Sequence, residues 1–443
     1  MKRCAAAIAA STLPVPAFCS VRNPSEKLNL AHIGVGGMVG DFHLSGTAGE
    51  NKLALCDIDR RILEKAAAAY PDAKRFCDWR ELLSEQGDRL DGVIIAAPDH
   101  VHACSAVAFM NRGIHCYCEK PLAHDIFQIR KMQQLAKEKN LVTQMGTQVH
   151  ASSNYRRAVE WIQSGVLGRI HDVQVWCGVV WGGMPATKKD VPIPESVNWD
   201  LWLGPAPART YQPCYLSGNR DAYRRLEADI DVPKTCYGSG NWRCWWDFGA
   251  GGIGDMGCHL IDLPFWALGL KYPETIEAFA PQSADADHCP KDLVCKYSFR
   301  QADGSPLTLT WSDGDVRPEV LKKWGIPEKS YGILFVGTEG ALYVNYAEHF
   351  LLPRDRFQNQ SAPAASIPES PGHHAEWLRA IRDGARTTCD FEYSGKVSEA
   401  VLLGVFAYRA GRKLEYDAPT MTAVNCPEAA RFFRQPCREG WEI

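Results

Sequence analysis

A chain of 443 residues is too long for one ordinary core and points to two domains. A formal net charge of −3, with 46% hydrophobic and 23% charged residues, describes a globular protein with no basic footprint for nucleic acid and no acidic tail. The 17 cysteines are an odd number without zinc-ribbon spacing, so no metal centre is expected and no disulfide pairing is assigned.

Lys2 and Arg3 precede an Ala-rich apolar run from Cys4 to Leu13, and Pro14 to Ser20 offers a cleavage site. Residues 1–20 therefore read as a signal segment of an exported, periplasmic protein. The alternative is a cytoplasmic chain with a frayed start. The apolar run falls short of the roughly 20 residues that span a bilayer, and no membrane span is expected.

Residues 27–149 read as an α/β dinucleotide-binding domain of the Rossmann type. A short apolar strand, Leu28 to Ile33, runs into Gly34-Val-Gly36-Gly37-Met38-Val-Gly40 and a helix-compatible segment. Gly34 permits the tight turn, Gly36 lets backbone approach a pyrophosphate, and Gly37 and Met38 open the helix whose N-terminus faces the phosphates. The next strand, Lys52 to Cys56, ends in Asp57, about 20 residues past the glycines. An acid there binds ribose hydroxyls and repels a 2′-phosphate, favouring NAD over NADP. The alternation continues through helices at 60–70 and 79–86 to the buried strand that Pro98 ends. His100 follows at its carboxyl edge. Strand 114–118 then exits through Glu119-Lys120-Pro121, and helix 125–139 and strand 141–145 complete the sheet. Pro98, His100, Glu119 and Lys120 join the expected cofactor set, and Lys120 can reach substrate as well. Cys116 and Cys118 alternate along their strand and should share one buried face.

Residues 150–443 read as an α+β domain. After an amphipathic helix at 154–164 the pattern turns to β, with strands near 171–180, 294–299, 307–311 and 342–346 and no helices between them. A mostly antiparallel open sheet follows from that order. Within this region a glycine run (Gly249, Gly251, Gly252, Gly254), read as a flexible lead-in, feeds a helical segment carrying Asp255 and His259. Four residues apart, the two stack one turn above each other, which suits a carboxylate that fixes a histidine tautomer. Arg243, Trp245 and Asp247, just upstream, read equally as substrate contacts or as an aromatic scaffold. His150 and His373 are further candidates for substrate contact, His373 standing where a histidine pair enters a helix. Residues 217–239 look like an insertion, and helices starting at His373 and Val397 look able to pack back on the first domain.

The Gly-rich turn, Asp57, Glu119-Lys120-Pro121 and Asp255-x-x-x-His259, in that order, resemble the glucose–fructose oxidoreductase / inositol dehydrogenase (Gfo/Idh/MocA) family, and the aromatic loops resemble its exported bacterial branch. The resemblance implies that Lys120 positions substrate and cofactor, that His259 is the general acid/base and that Asp255 orients the site. It also implies a homo-oligomer, a dimer or tetramer formed through the second sheet. The activity it implies is NAD-dependent oxidation of a ring hydroxyl of a sugar, glycoside or cyclitol. A redox-neutral glycosidase or lyase that works through transient C3 oxidation with recycled NAD is the alternative, and a non-catalytic NAD-holding sensor is a third.

Overall fold

A computed structural model describes residues 26–183, 192–212, 240–281, 285–326 and 330–443. The expected signal segment and the 217–239 insertion lie outside the described residues. In the first half, strands β1 (Asn29–Ile33), β2 (Asn51–Cys56), β3 (Lys74–Phe76), β4 (Gly92–Ile95), β5 (His115–Cys118) and β6 (Thr143–Met145) alternate with helices. The helices are α1 (Gly37–Gly46), α2 (Arg60–Ala69), α3 (Trp79–Gln86), α4 (Asp99–Asn111) and α5 (Ile126–Glu138). Sequence dictates much of this locally. Every residue of β4 is buried, as a central parallel strand requires. Asp59, Asp78 and Asp125 cap α2, α3 and α5 by accepting a first-turn amide.

The strands form one parallel sheet in the order β3-β2-β1-β4-β5-β6. The order reverses between β1 and β4, which opens a crevice at their carboxyl ends. Cys116 and Cys118 enter the main core on one side of the sheet, as their alternation predicts, while Tyr117 packs with Trp377 on the other.

The second half adds α6 (Ser153–Gln163), β7 (Ile170–Cys177), α7 (Trp199–Leu203), α8 (Gly251–Leu260) and α9 (Asp262–Leu268). There follow β8 (Thr275–Phe279), β9 (Val294–Arg300), β10 (Pro306–Asp313), α10 (Val320–Lys323), β11 (Tyr331–Gly337), β12 (Ala341–Val344) and β13 (His349–Leu352). The closing elements are α11 (His373–Asp383), α12 (Phe391–Ala410), β14 (Leu414–Asp417), β15 (Thr422–Ala423) and α13 (Ala430–Phe433). Their sheet runs β13-β12-β11-β7-β10-β9-β8-β14-β15 and is antiparallel except where β10 lies parallel to β7.

Two late helices tie the halves together. Trp377 of α11 is buried against Leu30, Ile94 and Tyr117 of the first sheet. On α12, Glu399 takes a bidentate pair from Arg130 of α5 (2.6 and 2.8 Å) and a hydroxyl from Tyr416 (2.6 Å). The glycine run at 249–254 is not a flexible lead-in, because α8 already starts at Gly251. Its glycines serve close packing, as does Gly257 beyond them: a Cβ on Gly252 would lie 2.6 Å from Asp313 Oδ2, and one on Gly257 2.9 Å from Val401.

Candidate active site

At the carboxyl edge of the first sheet, Gly34 adopts φ +79°, and a Cβ there would lie 2.5 Å from the carbonyl oxygen of Ala96. Gly36 is the N-cap of α1 without a side-chain cap, and a Cβ there would lie 2.7 Å from Ile62. The first amides of α1 are thus left for a ligand. Asp57 ends β2 and joins the two loops, accepting the amide of Val35 on Oδ2 (3.1 Å) and that of Asp59 on Oδ1 (3.0 Å). Burial pushes its carboxyl up to about 6, against the pull of those two amides. Gly34, Gly36, Gly37, Asp57 and Pro98 line one cavity, to whose wall Leu201, Trp202, Trp242 and Trp441 also contribute. Free helix amides, a ribose-height carboxylate and apolar walls fit a dinucleotide. Met38 is 82% exposed on α1 and lies outside the cavity, because the helix turns its second residue outward.

The charged end of the crevice is built from both domains. Lys120, just past β5, donates from Nζ to the carbonyl oxygen (2.7 Å) and to Oδ1 (2.7 Å) of Asp255 on α8. Trp181 Nε1 donates to Asp255 Oδ2 (2.6 Å), and Arg243 Nε stands 3.1 Å from Oδ1. Burial alone would raise Asp255, but Arg243 and Lys120 outweigh it and hold the carboxyl well below its usual range. The expected Asp255–His259 stack is therefore replaced. Two full cations and an indole N–H occupy the carboxylate, and a neutral imidazole cannot compete with them. His259 lies one turn along, half-buried, pushed down to about 4 by burial with Lys120 adding to the effect. Its backbone carbonyl accepts the hydroxyl of Tyr155 (3.1 Å), and its ring nitrogens have no partner among the described residues.

Sequence reading missed Asp99. It opens α4 directly after Pro98, is 2% exposed, and faces Arg243, Lys120, Asp255 and Glu119. Burial pushes its carboxyl up to about 8 despite the two cations. The available signal was its place, one residue past a strand-ending proline at the switch point.

Other expected contacts point elsewhere. Glu119 Oε1 accepts His43 Nε2 (3.0 Å) and Gln148 Nε2 (2.7 Å), and His43 Nδ1 pairs with His374 Nε2 (2.8 Å), so Glu119 anchors a buried network behind Lys120. Burial would raise Glu119, yet that histidine bond and the neighbouring charges bring it down to about 2. His100 is buried with Nε2 2.9 Å from the carbonyl oxygen of Trp202 and Nδ1 3.4 Å from that of Phe248, so its ring edges are turned to the second domain. His150 is buried in a pair with Asp262 (2.9 Å), stacked on Trp266, and His373 bonds the carbonyl oxygen of Met145 (2.7 Å). His150, Asp262 and Cys389 bring ligand-type atoms within 4.8 Å of one another, but His150 and Asp262 bond each other directly. Trp245 is fully buried in the aromatic cluster, and Asp247 is held by Arg209 Nε (2.5 Å). Of the five expected substrate residues, Arg243 alone reaches the charged centre.

A Rossmann domain whose crevice is completed by a second, antiparallel domain defines a dinucleotide-dependent oxidoreductase architecture. Residues 28–147 match the NAD-binding Rossmann fold of the Gfo/Idh/MocA oxidoreductase family, and residues 234–443 match that family's C-terminal alpha/beta domain; the chain belongs to this family. Among curated relatives, a levoglucosan dehydrogenase of Pseudarthrobacter phenanthrenivorans is 27% identical over 156 residues, 33% of this chain and 39% of that protein. An inositol 2-dehydrogenase of Salmonella typhimurium is 31% identical over 140 residues, 30% of this chain and 41% of that protein. These matches span about two-fifths of the relatives' own length. Among solved structures, the WlbA dehydrogenase of Bordetella pertussis in complex with NADH and UDP-GlcNAcA shares the fold at TM-score 0.59 and 18% identity, over 88% of this chain and 99% of that one. Levoglucosan dehydrogenase in complex with NADH and levoglucosan does so at TM-score 0.55 and 18% identity, over the same 88% and 99%. Among the described residues no helix is long and apolar enough to cross a membrane.

Proposed function

We propose that the chain is an NAD-dependent dehydrogenase that oxidises a ring hydroxyl of a sugar, glycoside or cyclitol. The observation that carries this reading is the 2.7 Å bond between Lys120 of one domain and Asp255 of the other, with the His259 ring, unpartnered among the described residues, one turn away. The first domain supplies the cofactor cleft and the second supplies the histidine, so substrate belongs between them.

Bound NAD supplies the hydride acceptor. His259, neutral at physiological pH because burial depresses it, takes the hydroxyl proton on a free ring nitrogen. Lys120 has three N–H bonds and commits two to Asp255, which leaves the third for the substrate oxygen as negative charge grows there. Asp255 fixes Lys120, while Trp181 and Arg243 fix Asp255. The relatives named levoglucosan and inositol dehydrogenases support a carbohydrate-type substrate.

The test is a panel of sugars, glycosides and cyclitols incubated with the protein and NAD, with NADH read by absorbance. Oxidation of at least one member that is lost in His259→Ala is expected; no oxidation or cleavage of any member, with NAD bound, would overturn the reading. A second reading is redox-neutral cleavage with recycled cofactor. Release of aglycone with no net NADH would select it.

A further inference from the structure

At the carboxyl end of α12 two cations meet without an anion. Arg409, in the last turn of that helix, is half-buried, and its guanidinium lies over two rings, Trp246 at 5.2 Å and Phe432 of α13 at 4.5 Å. Arg431, exposed on α13, stands over the same Phe432 ring at 4.7 Å. Among the described residues neither guanidinium has an ion pair or a side-chain hydrogen bond. The acids whose charge they feel are already taken: Asp247 is held by Arg209 Nε (2.5 Å), and Glu428 stands 3.6 Å from Arg412 Nη1.

The rings hold the two guanidiniums in place without using their N–H groups. A guanidinium over an aromatic ring is attracted by the π-face, while its five donors stay in its own plane. The rings themselves are fixed. Trp246 is 2% exposed and donates from Nε1 to the carbonyl oxygen of Asp285 (3.0 Å), and Phe432 is 7% exposed and stacked on Phe406 (6.0 Å). The end of the α12 dipole offsets part of the charge on Arg409, but a dipole takes up none of its side-chain donors. Two like charges on one ring still repel each other.

We propose that Arg409 and Arg431 form an oxyanion site for a phosphate or carboxylate group of a small molecule. The planar fork of a guanidinium matches either group with two parallel hydrogen bonds. An oxyanion held between the two arginines cancels their repulsion and fills donors that the protein leaves open. Two arginines on one ring suit a single oxyanion. An extended polyanion asks for a basic footprint, which a net charge of −3 does not supply. Neither arginine borders the cavity lined by Gly34 and Asp57, so the site stands or falls separately from the dehydrogenase reading.

The experiment titrates the full chain by calorimetry at constant ionic strength with inorganic phosphate, glucose 6-phosphate and glucuronate in turn. NAD is present throughout, so that phosphate does not report the first amides of α1 instead. Binding of at least one probe is expected; tighter binding of the phosphates marks a phosphoryl ligand, and tighter binding of glucuronate marks a carboxylate. Arg409→Gln should weaken that binding about ten- to a hundredfold, the scale of a hydrogen bond to a charged group. Arg409→Lys keeps the charge without the fork and should recover only part of the loss. Arg431 is exposed, so Arg431→Gln reads the site independently should Arg409→Gln fold poorly, and it should weaken binding as well. Arg354, over Phe350 of β13 at 4.1 Å, serves as the control, and Arg354→Gln should change nothing. A wild-type protein that binds none of the three probes overturns the site. Equal affinity in wild type, Arg409→Gln and Arg431→Gln, or an equal loss in Arg354→Gln, overturns its assignment to these two residues.

Discussion

The two ends of the crevice are built on opposite principles. At one end Lys120, Arg243 and the Trp181 indole converge on a single carboxylate within 3.1 Å, and Asp99 adds a second carboxyl nearby. At the other end the cavity is glycine backbone, the carboxylates of Asp57, Asp59 and Asp78, and the rings of Trp79, Trp202, Trp242 and Trp441, with no cation among the residues that line it. Charges taken out of water are costly unless paired, so they are concentrated where they act on a reacting oxygen and are arranged before substrate arrives. Holding a cofactor asks mainly for shape, and backbone with indole supplies it.

The comparison predicts that damage at the charged end falls on rate and damage at the apolar end falls on binding. The largest effect is expected from His259→Ala, which should lower kcat about 10²–10⁴-fold while NAD binding stays nearly intact. Loss of NAD binding in that variant, measured by tryptophan quenching, would break the separation. Next comes Gly34→Ala. It forces a left-handed φ that costs roughly 1–2 kcal/mol before the contact with Ala96 is counted, so NAD affinity and melting temperature should both fall. Asp57 then sharpens the contrast. Its folded carboxyl is pushed up to about 6 by burial, above the ordinary 3.8, so the proton-bound form favours folding below that lower value and the advantage disappears as pH rises through about 6. Asp57→Asn should therefore melt higher than wild type above pH 6 without nucleotide, with the gap closing towards pH 4, yet bind NAD more weakly and with a narrower margin over NADP. The smallest effect concerns pH–rate profiles. With His259 pushed down to about 4, its acid limb should lie near there; with Asp99 pushed up to about 8, Asp99→Asn should remove an inflection near that pH. An acid limb near 6.5 would show that His259 is not the group titrating.

The cofactor half was legible because each of its signals is local. A tight turn needs Gly34, a close approach needs Gly36, and the acid one strand later sits at a fixed distance along the chain. Lys120, Asp255 and His259 were legible as residues but their partners were not. Spacing on a helix suggested that Asp255 serves His259, whereas its real partner is 135 positions away in sequence. Glu119 illustrates the same limit, since only the folded α1 brings His43 to its carboxylate. β11 escaped notice because it is covered on both faces and shows no alternation. The place of Trp441 in the cavity wall was not legible, because it depends on the last residues of the sequence packing beside Trp79 and Val101, more than three hundred positions earlier.

The glycines of α8 bear on precision. Gly252 and Gly257 set the helix against Asp313 and Val401 at distances where a methyl group would not fit. Each costs roughly 1 kcal/mol of helix propensity relative to alanine. In exchange, the main chain of the helix rests directly against the side chains of Asp313 and Val401, with no side chain of its own at those two positions to shift the height of Asp255 and His259 above the crevice.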